Sequence, residues 1–213
     1  VHANHTKEKV EFIMAITRGS RASAMSPIPD NAGDFQHATI VQADLQTTAQ
    51  YMFELMMRNV ASDGYVFSDP TNPSSFSQPG CVLASPSFPA NTPGVDQDYV
   101  FHWVRDAAIT ALEIVAAKLP TVPGQGVQAL IDYVTFAQIC QCNAPPTMGH
   151  ACFTIAGKPR PWSEQNDGPA LQTVAMLAAF DQLDAATQTI ARAVIAKNLD
   201  FLLGDYKECT YNL

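Results

Sequence analysis

Five stretches of the chain place apolar side chains at intervals of three and four residues. In residues 44–60 the repeat runs Leu45, Thr48, Ala49, Met52, Phe53, Met56 and Met57. That is the spacing of one helical face, and it stops at the turn residues Ala61-Ser62-Asp63-Gly64. Further helices are predicted over 104–119, ended by Pro120, over 126–142, over 168–183, and over 186–203, ended by Gly204. The helix at 168 opens on Gly168-Pro169, where the missing proline N–H costs nothing, and Asn166 or Asp167 stands where a cap is needed. Its apolar residues spread over a wide arc, as at Ala170, Val174, Leu177 and Ala178. An arc that wide predicts burial between other helices.

The connections are uneven. Residues 64–97 are dense in Pro, Gly, Ser and Asn and read as one long loop, a length that usually carries function. Within it "GCVLASPSF", Gly80 to Phe88, has the look of a short strand. A second long loop covers residues 143–167. Helices therefore come in pairs with a long loop after every second one, which predicts an all-α fold of helical hairpins. The first 40 residues differ: Val10 to Ile16 is apolar and β-capable, and residues 26–35 are turn chemistry. The division expected is an N-terminal extension, 1–40, and a helical domain, 41–213. No fixed-period repeat is visible.

Composition narrows the function classes. Apolar residues make up 47% of the chain, enough for a packed core. A net charge of −8 repels phosphates and argues against a nucleic-acid or anionic-membrane partner. No apolar run approaches the roughly 20 residues that cross a bilayer, and no signal peptide is visible at Val1. No glycine-rich phosphate loop, H-E-x-x-H or G-x-S-x-G elbow is present, so no cofactor or metal is expected. Cys140 and Cys142 are too close together for a usual zinc knuckle. A disulfide from that pair to Cys152 or Cys209 would signal an oxidising compartment. Asn4-His5-Thr6 is an N-glycosylation triplet.

Two loop-to-helix junctions carry the chemistry. The first is "DYVFHWVRDAAIT", Asp98 to Thr110. Asp106 in the first turn complements the helix dipole, worth roughly 0.3–1 kcal/mol. Arg105 in the same turn opposes it and wants another reason. A guanidinium beside a carboxylate offers donors and acceptors to a diol, while Tyr99 and Trp103 offer flat apolar faces to a sugar ring. The second is "PWSEQNDGPAL", Pro161 to Leu171, which sets Trp162 just ahead of the next helical pair. In a toroid of helical pairs such junctions converge on one face.

These two motifs, in this order, resemble those of the glucoamylases, glycoside hydrolase family 15. The family pattern is a strand near "VASPS", then "DY-aromatic-W-x-RD", then "W-G-R-P-Q-N-D-G-P-A-L-R". Here they stand as "GCVLASPSF", "DYVFHWVRDAAIT" and "WSEQNDGPAL", the last one residue shorter and without the family's Arg. The similarity runs from about Gln50 to Leu213. It implies an (α/α)6 barrel of inner and outer helices, and hydrolysis of terminal α-1,4-linked glucose from starch or maltooligosaccharides with inversion, by a secreted enzyme. It further implies that Arg105 and Asp106 hold the hydroxyls of the terminal glucose, that Tyr99 and Trp103 shape the pocket, and that Trp162 supports the general acid. Glu164 has no role in the pattern and is expected to be an exposed loop residue. An inverting glycosidase needs two carboxylates. In the family the acid lies in a segment resembling "(D/N)-L-W-E-E", whose first two letters would be Asn212 and Leu213, with the base further on. The chain is thus expected to be the N-terminal part of the catalytic domain, packed against the rest of its polypeptide and inactive alone. Glucodextranase-like, isomaltose- or trehalose-hydrolysing specificity stays open, as do a non-catalytic carbohydrate-binding role and a plain structural helical domain.

Overall fold

A computed structural model describes residues 42–62, 64–69, 72, 74–85, 100–117 and 125–205. All but Gln42 belong to one unit, Ala43–Leu213. The extension 1–40 with its run at Val10 to Ile16, the Asn4 triplet, Tyr99, Cys209 and Asn212-Leu213 lie outside the described residues.

Five α-helices form where the apolar repeats placed them. They are α1 (Gln42–Met57), α2 (Val104–Ala117), α3 (Gln125–Cys142), α4 (Asp167–Ala179) and α5 (Ala185–Asp205). Ends differ for local reasons. The chain after α1 tightens into i→i−3 bonds, with the N–H groups of Arg58, Asn59 and Val60 donating to Leu55, Met56 and Met57. The stretch predicted over 168–183 breaks: a 3-10 turn at Phe180–Gln182 follows α4, and Leu183 is extended. α5 runs through Gly204, whose cost in a helix is only about 1 kcal/mol.

The helices pack as two hairpins side by side. α2 lies against α3 and α4 against α5, while α2 also packs on α4 and α3 on α5. The broadest of these contacts, α2 on α4, is made of small side chains: Ala107, Ala108 and Ala111 face Ala175 and Ala179, all buried. Leu130, Val134, Met176 and Val194 fill the wider space around them. One polar chain crosses this core. Gln141 of α3 donates to Asn198 Oδ1 of α5 at 2.9 Å, and Asn198 Nδ2 donates to Gln172 Oε1 of α4 at 2.9 Å.

Three expectations need correction. Val174 and Leu177 are 42% and 56% exposed, and Ala178 is exposed too. The buried side of α4 is Gln172, Thr173, Ala175, Met176 and Ala179. This helix is apolar around most of its girth, and the described residues cover one side of it, so periodicity could not say which side. The segment read as a strand at Gly80 to Phe88 makes a single bridge, Val82 to Val60, over the residues described. The strands present are β1 (His102–Trp103) and β2 (Cys152–Phe153), too short for an alternating pattern to show. No disulfide joins Cys140 or Cys142 to Cys152. Cys140 is buried in an apolar cluster with Cys81 and Phe136, while Cys142 is exposed at the helix end.

The bridge at Val82 depends on Gly80. Its φ is +86°, its N–H donates to Ala61 O at 2.6 Å, and a Cβ there would overlap the Asp132 carbonyl of α3. Gly64 has φ +82° but open space around it. Gly80→Ala should therefore cost about 3 kcal/mol or more, from overlap and left-handed strain together, and Gly64→Ala about 1 kcal/mol from strain alone. Denaturant unfolding of the two variants beside the parent checks the contrast.

Candidate functional site

The long loop after α3 folds back as a short strand with partners on both edges. On one edge β1 and β2 pair antiparallel, His102 opposite Phe153 and Trp103 opposite Cys152, and Val104 N–H donates to Ala151 O at 3.0 Å. On the other edge Glu164 pairs with His150 and Pro159 with Phe153, and Gln165 N–H donates to Gly149 O at 2.8 Å. This small sheet carries residues 159–165 alongside β1 and so brings the two sequence motifs together.

Successive strand residues point to opposite faces, and here the two faces do different work. His102 turns inward and is 1% exposed. Its Nδ1 accepts the Val82 N–H at 3.1 Å and its ring meets Phe136 edge-on, centroids 4.7 Å apart. Phe101 and Trp103 turn the other way. The Arg160 guanidinium covers Phe101, 3.6 Å from its ring centroid, a cation–π contact. Trp162 meets Trp103 edge-to-face, centroids 4.9 Å apart and planes at 82°. Trp103 is buried and Trp162 remains 42% exposed, so the pair presents one indole outward on a fixed second one.

β1 runs directly into α2, which puts Arg105 and Asp106 in the first turn. The start of α4 lies beside it. A Cβ on Gly168 would come within 3.3 Å of Val104 Cβ and Cγ1, so a hydrogen at that position lets the two helix N-termini approach. Arg105 Nη1 then donates to Asp167 Oδ2 at 3.0 Å, while its Nε lies 3.8 Å from Asp106 Oδ2. All three charged side chains are between a third and a half exposed, within reach of a solute. Two positive helix ends meet here, and two carboxylates offset them and hold the guanidinium that would otherwise be repelled.

Trp103, Arg105, Asp106 and Trp162 thus stand together at the joined helix mouths; Tyr99 lies outside the described residues. Two further residues belong with them. Asp167 carried a signal in the sequence but was read as a helix cap. In the structure it sits inside the first turn and its carboxylate goes to Arg105, while the cap position, Asn166, has helical backbone angles and makes no side-chain cap bond. Arg160 carried no signal, since its partner Phe101 is set by the strand pairing. Glu164 is paired in the small sheet and only partly exposed, not a loose loop residue. No group of three or more metal-ligating side chains occurs among the described residues.

Burial pushes the His102 imidazole down to about 3 from an ordinary 6.5, and the Val82 N–H held by Nδ1 needs the neutral ring. Burial also lowers His150. A base whose folded pKa is depressed stays neutral in the native state while the unfolded chain takes up its proton. Stability is then fully present above about pH 6.5 and falls on acidification through the window down to about 3, by about 1.4 kcal/mol per pH unit for His102. His102→Asn keeps an acceptor for Val82 and removes this titration. Urea midpoints taken between pH 6.5 and 5, above the carboxylate range, should show a shallower slope for the variant by close to one proton.

Residues 53–213 match the family described as glycosyl hydrolases family 15. Over 120 residues the chain is 30% identical to glucoamylase S1 of Saccharomyces cerevisiae, covering 49% of this chain and 14% of that protein. Over 174 residues it is 24% identical to a probable glucoamylase of Schizosaccharomyces pombe, covering 74% and 35%. The solved glucoamylase of Saccharomycopsis fibuligera superposes with a TM-score of 0.58 at 20% identity, over 84% of this chain and 41% of that one. The chain spans well under half the length of each. The paired-helix architecture is the fold of that glucoamylase, an (α/α)6 barrel, seen in part.

Proposed function

The chain belongs to glycosyl hydrolase family 15, and from that premise we propose that its protein releases glucose from the non-reducing ends of starch and maltooligosaccharides, with inversion to β-glucose. The observation that carries this reading is the Arg105–Asp106 pair set between two helix mouths, beside the Trp103–Trp162 pair. A terminal sugar ring presents hydroxyls that both donate and accept, and apolar C–H faces. The guanidinium donates, the Asp106 carboxylate accepts, and the indoles pack on the ring. Tyr99 is assigned to the same pocket. Because the site reads one terminal residue, cleavage is from the chain end. Action on starch outside the cell, by a secreted enzyme, is part of the same proposal.

Inversion needs an acid to protonate the leaving oxygen and a base to activate water. We assign neither to this chain; the acid is placed in the segment that follows Leu213 and the base beyond it. This chain supplies the terminal-glucose pocket, and further helices of the same polypeptide complete the barrel. The exposed apolar residues Val174, Leu177, Leu199 and Leu203 support that arrangement, since surfaces of this kind usually meet a partner.

Proton NMR of the full-length protein with maltoheptaose tests the reading. The β-anomer of glucose should appear first, with the α-anomer growing in by mutarotation. Initial α-glucose, or internal cleavage without glucose, would overturn it. Isomaltose and trehalose run in parallel assign the linkage. Arg105→Ala and Asp106→Asn should each lower kcat/KM by roughly 10- to 100-fold, the range for a lost hydrogen bond to a charged group.

A further inference from the structure

We propose that Asp167 is a positioning residue for sugar recognition, one that fixes the Arg105 guanidinium and thereby leaves the Asp106 carboxylate to the substrate. The inference rests on the reading of Arg105 and Asp106 given above and adds a third residue to it, from a different helix.

Two carboxylates approach Arg105, and they do so unequally. Asp167 accepts a hydrogen bond from Nη1 at 3.0 Å. Asp106 stands 3.8 Å from Nε, an ion-pair distance too long for a hydrogen bond. Among the described residues Asp106 accepts no hydrogen bond, and its contact with Arg105 is the longer of the two. Had Asp167 been absent, the adjacent Asp106 would be the nearest partner for Arg105, and the two groups meant to meet a diol would satisfy each other. Asp167 separates those roles.

The magnitude of the contact points the same way. Arg105 and Asp167 are 34% and 46% exposed in their side chains. An ion pair that open contributes little to stability. An Arg side chain, however, loses much of its rotamer freedom when held in one place. If that ordering occurred at each binding event, affinity would fall accordingly; a guanidinium already held avoids it. The hold is rigid because Asp167 sits on α4 next to Gly168, which abuts Val104 of α2. The carboxylate and the base of Arg105 therefore keep a fixed separation.

The test uses the full-length protein and two readouts beside stability: affinity for maltose and for a set of monodeoxy maltose analogues, by calorimetry, and kcat/KM on maltoheptaose. Asp167→Asn should weaken maltose binding and lower kcat/KM by roughly tenfold or more, with a melting shift of no more than a few degrees. Asp167→Glu should recover part of the loss. The loss should shrink on the same deoxy analogue for which Arg105→Lys loses its effect, because the hydroxyl that Arg105 holds is then missing. Equal losses on every analogue, or a lowered melting point with affinity unchanged, would overturn the inference. A wild type that binds maltose but releases no glucose sinks the hydrolase reading alone, and Asp167 is then judged on affinities. A wild type that neither binds nor hydrolyses overturns both.

Discussion

Much of this site depends on how closely two helix N-termini can approach. Gly168 eases it: a methyl group at that position would sit 3.3 Å from the Val104 side chain, which would have to give by a few tenths of an ångström. The approach creates an electrostatic demand, because two positive helix ends lie side by side and an Arg is inserted between them. Asp106 and Asp167, one from each first turn, answer it. The charge arrangement is thus a result of the packing, and the packing is a result of small residues: Gly168 at the mouth, then Ala107, Ala108, Ala111, Ala175 and Ala179 below it.

The small sheet performs the complementary task of binding the two motifs to one another. It has few hydrogen bonds, yet it settles which face of residues 101–103 meets α3 and which meets Arg160 and Trp162. His102 inside holds the loop at Val82 against α3 through one nitrogen and one ring contact. Trp103 outside supports Trp162. A buried neutral histidine and the indole that backs the exposed Trp162 are therefore consecutive consequences of one strand's alternation.

The helices were legible in the sequence because three- and four-residue periodicity persists over four or five turns, and their pairing followed from loop lengths. Trp103, Arg105, Asp106 and Trp162 were legible as a group because residue types that suit a sugar ring recur at matching junctions. What was not legible depended on contacts between distant segments. Asp167 lies 62 positions from Arg105, and in sequence a carboxylate at a helix start looks the same whether it serves its own helix or a neighbour's. The two-residue strands left no period to read. The wide apolar girth of α4 hid which of its sides the described residues cover, and Val174 and Leu177 lie on the side they leave open.

The amide chain Gln141–Asn198–Gln172 ties α3, α5 and α4 to one another in one register. Gln172 sits five residues beyond Asp167, about 7.5 Å along the axis, so the chain reaches α4 just beneath the site. Asn198 is 2% exposed and spans α3 and α4 with both ends of one amide. A slide of α5 by a fraction of a turn would strand polar groups at a cost of a few kcal/mol, and the next arrangement that packs lies a whole turn, about 5.4 Å, away. The hairpins behave like a keyed joint with one seated position. Sliding of α3, α4 and α5 past one another is thereby resisted, and the first turn of α4 keeps its place above Gln172.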